Sequence, residues 1–107
     1  MTDSHAKKNH LIQFHASLYQ EVMVRFRYAV SVDPAKSLKP SDADYLFLIG
    51  ETLKRLTREE QALLHNDFLS PLSKNWWMEY YSKSTYYRLR HCAVDRFLHC
   101  LHHEKML

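Results

Sequence analysis

Ser82-Lys83-Ser84-Thr85-Tyr86-Tyr87-Arg88-Leu89-Arg90-His91-Cys92-Ala93-Val94-Asp95-Arg96-Phe97-Leu98 is the stretch on which the fold turns. It opens on small hydroxyl residues that suit a helix start. Tyr86, Leu89, Ala93, Phe97 and Leu101 then recur at helical spacing and fall along one side. Lys83, Ser84, Tyr87, Arg88 and His91 fall on another side. Such a helix is held to a body by its apolar face and presents donors and cations on the other, an arrangement suited to a polyanion.

The rest of the chain extends the helical reading. Its 107 residues include one glycine and three prolines, too few turn-formers for a sheet with many hairpins. Hydrophobic residues make up 46% and charged residues 25%, enough to bury a core and too apolar for disorder. The length predicts a single domain over residues 1–107. A formal net charge of +3, with eight histidines counted neutral, is compatible with a nucleic-acid partner without requiring one. Cys92 and Cys100 lie eight residues apart in one predicted helix, roughly 12 Å along its axis, so they cannot bridge each other within it. Reduced thiols, no apolar leader and no run near the ~20 residues that span a bilayer predict a soluble, cytoplasmic protein with no membrane partner.

Upstream, residues 1–7 are polar and expected to fray. From Asn9 the pattern is helical to about Val32, with Leu11, Phe14, Leu18, Val22, Phe26 and Ala29 as the stripe and Ile12, Tyr19, Met23 and Val30 widening it. So wide a stripe implies packing on two sides, or on the chain itself and a second subunit. Asp33-Pro34 ends it, and residues 33–41 read as a linker. Ser41 is the expected N-cap of a second helix carrying Tyr45, Leu46, Leu48, Ile49, Leu53 and Leu56, in which Gly50 would mark a close crossing. Thr57-Arg58-Glu59-Glu60 has the spacing of a capping box and starts a third helix with Ala62, Leu63 and Leu64 inward. Ser70-Pro71 breaks it. Ser73 would cap a short fourth helix through Trp76, Trp77, Met78, Tyr80 and Tyr81, and Ser82 or Ser84 the long fifth, to about His102. Adjacent tryptophans point about 100° apart, so one is expected in the core and the other at a subunit contact.

Third helix, turn, fourth helix, turn and fifth helix give the order of a helix-turn-helix. Leu56-Thr57-Arg58-Glu59-Glu60-Gln61-Ala62-Leu63-Leu64 resembles the opening of region 4 of bacterial sigma-70-type factors. The stretch 82–98 is similar to the end of that module and still more to the tail of small Firmicutes phage activators of the ArpU and RinA type. There a Ser-basic-Ser-Thr-aromatic-Tyr-Arg run begins the recognition helix. The resemblance covers roughly residues 56–101. It implies a sequence-specific, duplex-DNA-binding transcriptional regulator of phage or mobile-element type, with Lys83, Ser84, Thr85, Tyr87, Arg88 and His91 facing DNA. The sequence departs from it at Trp76-Trp77-Met78-Glu79-Tyr80-Tyr81, where the family carries a small aliphatic helix and a turn that often holds glycine. Residues 1–55 match no family pattern.

By residue chemistry, Arg88 is the candidate for a guanine edge, since a guanidinium pairs bidentately with its two acceptors. Tyr87 and His91 could touch bases or sugar. Lys83, Ser84, Thr85 and Arg90 would hold phosphates, and Lys74 could reach one from the fourth helix. The N-terminal part, 9–56, would dimerise the chain or touch RNA polymerase, and the helix-turn-helix part is 57–102. The alternative is a degenerate helix-turn-helix serving as a protein-binding or homodimeric module without DNA binding. His99 and His103 are four apart, but Cys100 points to another side of the helix, so a polar tail is expected rather than a metal site. No phosphate loop and no nucleophile–base order is present, so neither an enzyme nor a cofactor is predicted.

Overall fold

The computed structural model describes the backbone of residues 2–31 and 39–106 and the side chains of 6–31 and 39–102. The protein is all-α: α1 (Thr2–Ser31), α2 (Pro40–Lys54), α3 (Arg58–Leu64) and α4 (Lys83–Met106). Between α3 and α4 lie a π-helical turn, His65–Leu69, and a 3-10 turn, Trp76–Glu79. No strand occurs among the described residues. The linker expected over 33–41 falls largely outside them.

One core joins all four helices. Ile12 and Ala16 from α1, Ile49 from α2, Leu63 and Leu64 from α3, Phe68 from the π turn and Ala93, Val94, Phe97 and Leu101 from α4 meet in it. Phe97 lies near its centre, with the His15 ring edge-on at 6.4 Å. Full burial of such a side chain contributes about 1.5–3 kcal/mol. The inward stripe of the C-terminal helix holds as expected, with Val94 added to it and Leu89 only half-buried.

α1 departs from expectation in two ways. It begins at Thr2 instead of near Asn9. Its buried line is Ile12, His15, Ala16, Val22 and Ala29, while Leu11 (50% exposed) and Phe14 (60%) of the expected stripe face outward. Both lines are apolar at helical spacing, and the other helices cover only one of them. His15 is a core residue: its ring stacks on Tyr45 at 6.1 Å, and Nδ1 shares a 3.0 Å hydrogen bond with the Tyr45 hydroxyl. Burial pushes the Tyr45 phenol up to about 12.

α2 starts two residues earlier than Ser41 suggests. Lys39 is its N-cap and Pro40 stands in the first helical position, where the missing N–H is not needed and φ is already helical. Asp42 accepts from the Lys39 N–H at 3.4 Å and forks Arg25 of α1, Nε to Oδ2 and Nη2 to Oδ1 both at 2.8 Å. The Arg25 guanidinium holds the Asp42 carboxyl below the usual range. This pair ties the two helices at the α2 entry. Gly50 marks no crossing: a Cβ placed there meets nothing within 4 Å.

The predicted capping box is present. The Glu60 N–H donates to Thr57 Oγ1 at 3.2 Å, and the Thr57 N–H donates to Glu60 Oε1 at 2.9 Å. Glu60 is buried and also receives Arg96 Nη1 of α4 at 3.3 Å. One carboxylate therefore starts α3 and clamps it to α4. The expected fourth helix contracts to the single 3-10 turn, preceded by Asn75 rather than capped by Ser73. Its bulky residues account for this. Trp77 is buried in a stack on Tyr86, with centroids 4.4 Å apart and planes 8° apart. Trp76 is held at the other side of the turn, where its indole N–H donates to Asp67 at 2.7 Å, so both tryptophans are pinned within a single turn.

Candidate nucleic-acid interface

α4 is started by Ser82. Its hydroxyl accepts the Thr85 N–H at 3.3 Å and its carbonyl accepts the Tyr86 N–H at 2.9 Å. The first two turns then divide by face. Tyr86 points inward onto Trp77. Lys83, Ser84, Tyr87, Arg88 and His91 are exposed, Tyr87 to 44%. Tyr87 is not loose, because its ring leans edge-on against Tyr86 at 5.0 Å and lies 6.4 Å from Trp77. The five side chains that the sequence places on one face are thus brought together on the solvent side of a helix whose other face is locked.

The lock is polar as well as apolar. Asp67 of the π turn accepts from Trp76 Nε1–H at 2.7 Å and from the Tyr86 hydroxyl in a short hydrogen bond. Arg90 Nε lies 3.6 Å from the same carboxylate, and its guanidinium sits over the Phe68 ring at 5.0 Å. The Asp67 side chain is 11% exposed and that of Arg90 22%. Burial and the Asp67 carboxylate both raise the Tyr86 phenol above its ordinary value, since ionising it would place two negative charges together. Asp67 therefore sets the orientation of the first two turns of α4. No local signal in the sequence marks this role: Asp67 follows His65 and Asn66 and precedes Phe68 and Leu69.

Three of the candidate residues stand differently from their sequence reading. Arg90 is committed to Asp67 and Phe68 and is off the open face. Thr85 is half-buried, and its Oγ1 accepts from the Ser82 hydroxyl at 2.9 Å, so it serves the helix start. Lys74 lies in the loop before the 3-10 turn, not on a helix, and lines with Arg90 and Tyr86 a cleft of about 360 Å³ at the root of α4. The acidic residues nearby are partly neutralised: Asp67 by Arg90, and Asp95 by Lys8 at 2.8 Å. Trp77 is buried and does not stand in front of the face.

At the other end of α4, no group of three His, Cys, Asp or Glu residues is placed to hold a metal among the described residues. The His103 side chain lies outside them. Cys92 and Cys100 are free thiols. Among the described residues no helix is long and apolar enough to cross a membrane. No family model matches the chain, and neither a curated protein nor a solved structure matches it. The geometry defines the class, an all-α protein with a capped, internally locked and externally cationic terminal helix.

Proposed function

We propose that the chain is a duplex-DNA-binding transcriptional regulator of phage or mobile-element type, acting in the cytoplasm, with α4 as the reading helix of a sigma-region-4-like helix-turn-helix. The observation that carries this is the open face at the start of α4, where Lys83, Ser84, Tyr87, Arg88 and His91 are exposed on a helix whose inward face is fixed by Trp77 and Asp67. A rigid helix N-terminus with cations one turn apart can hold a phosphate with Lys83 and Ser84 and reach a base edge with Arg88. Arg90 acts by holding the helix, and Lys74 supplies a flanking phosphate contact.

A lone module of this size makes few contacts, so a homodimer reading two half-sites about 34 Å apart is the expected assembly. The outward line of α1, with Leu11 and Phe14 exposed, supports a subunit contact there. RNA polymerase is the further partner implied by the resemblance. The test is fluorescence anisotropy with labelled duplexes selected from a random pool, repeated across a salt series. Lys83→Ala should weaken binding of all sequences about evenly and flatten the salt dependence. Arg88→Ala should lose about 1–3 kcal/mol of discrimination at one base pair. An unenriched pool, or two variants that bind every duplex like the parent, would exclude α4 as the reader.

One observation favours a second reading, a degenerate helix-turn-helix used for protein contact alone. The supporting helix of the bihelical unit is reduced to four residues, Trp76–Glu79. Absence of any shift with random duplex at low salt, together with a stable dimer, would select that reading.

A further inference from the structure

On a chain of net charge +3, one cleft carries the opposite sign. It lies between the outer side of α3 and the 3-10 turn and encloses about 460 Å³, within the usual range of ligand pockets. Glu59 and Glu79 line it, and no lysine or arginine does. Both carboxylates are exposed and make no ion pair with any described residue. The walls are aromatic. Trp76 and Tyr80 have centroids 6.5 Å apart at 46°, and Tyr80 and Tyr81 are 6.5 Å apart at 55°. The rings are tilted to one another instead of stacked; Trp76 and Tyr81 rest partly on the core, with Trp76 edge-to-face with Tyr86 at 6.3 Å, and Tyr80 is 69% exposed. Trp76 is also preset, since Asp67 holds its indole N–H.

We propose that this cleft, walled by Trp76, Tyr80 and Tyr81 and edged by Glu59 and Glu79, receives the arginine or lysine side chain of a partner polypeptide. Aromatic faces and carboxylates share one kind of ligand, a cation with an apolar skin. The ring quadrupoles attract its charge, and the carboxylates accept its N–H groups. A phosphate or a base-paired duplex is repelled, so the cleft is not part of the α4 face. A bare metal ion would find rings where it needs close oxygen ligands. A protein source is favoured over a free organic cation because exposed Leu72 lines the same cleft, a seat for an apolar neighbour of the cation. An extended peptide can lay an apolar residue there.

The probes are blocked pentapeptides of alanine with a central Arg, Lys, Gln or Glu, and tetramethylammonium as a free cation. The readout is the Trp76 indole N–H resonance in ¹H–¹⁵N spectra of the full chain. Saturable shifts with the Arg or Lys peptide, and none with the Gln and Glu peptides, are expected. Glu59→Gln with Glu79→Gln should weaken that binding about fivefold or more. Should the double variant not fold, Tyr80→Leu at a 69% exposed position serves instead. Duplex binding measured on the same variants should be unchanged or tighter, which separates this site from the DNA reading. Three results would overturn it: no saturable shift, an equal response to the Gln peptide, or tetramethylammonium binding tighter than both cationic peptides.

Discussion

Replacing Asp67 by alanine should loosen the terminal helix more than any surface change. The carboxylate accepts from Trp76 Nε1–H and from the Tyr86 hydroxyl and faces Arg90. Alanine leaves the first two donors without an acceptor in a site where Tyr86 is buried and Trp76 half-buried. A buried donor left unsatisfied costs about 1–3 kcal/mol, so two of them amount to about 2–6 kcal/mol, and to about 3 kcal/mol when half-buried Trp76 regains water. Arg90 retains Phe68 and solvent and adds little. Against a total stability of about 5–15 kcal/mol this is a large fraction. At about 4–8 °C per kcal/mol for a domain near this size, it predicts a Tm lowered by about 12–24 °C. Asp67→Asn keeps one acceptor oxygen and should lose about half as much. Chemical denaturation followed by tryptophan fluorescence gives the free energy. A double-mutant cycle with Tyr86→Phe isolates the pair, and a coupling above about 1 kcal/mol is expected. An Asp67→Ala variant within about 0.5 kcal/mol of the parent would refute the hub, and with it the account of how α4 is aimed.

Gly50→Ala should stabilise the protein by about 0.5–1 kcal/mol in urea unfolding, because a mid-helix glycine is replaced where the new methyl meets nothing within 4 Å. In acid, the depressed Asp42 carboxyl contributes stability that is complete above about pH 4, its unfolded range, and lost as pH falls through its lower folded value. Asp42→Asn should therefore be less stable near neutrality and show a shallower loss below pH 4 by circular dichroism. In alkali, Tyr45 is raised to about 12 from 10.0, so its contribution is complete below pH 10 and lost as pH rises through 12. Absorbance at 295 nm should show Tyr45 and Tyr86 ionising only as the fold is lost, and Tyr45→Phe should flatten the stability profile over that interval.

Much of the local structure follows from short-range chemistry and was legible without coordinates. Thr57 and Glu60 cap each other across three residues, so their box needs no tertiary help. The inward face Tyr86, Ala93, Phe97 and Leu101 is a period of the helix itself. The seating of Lys83, Arg88 and His91 opposite that face follows from the same period. That the two adjacent tryptophans part, one of them into the core, follows from the rotation between helical neighbours, whereas which of them is buried does not.

Other features needed the folded chain. α1 carries two apolar lines at equal spacing, and only the positions of α2, the π turn and α4 select Ile12 and Ala16 over Leu11 and Phe14. Arg90 reads as a free cation in the sequence and is bound to a residue 23 positions earlier (90 − 67). The fourth helix was lost to a stack between Trp77 and Tyr86 that no local propensity encodes. The sequence by itself settled that α1, α2, α3 and the terminal helix coil and that each carries an apolar line, since those depend on neighbours within one or two turns. Which greasy face is covered, and which charges are left for a partner, depended on groups distant along the chain and adjacent in space, and only tertiary packing decides that.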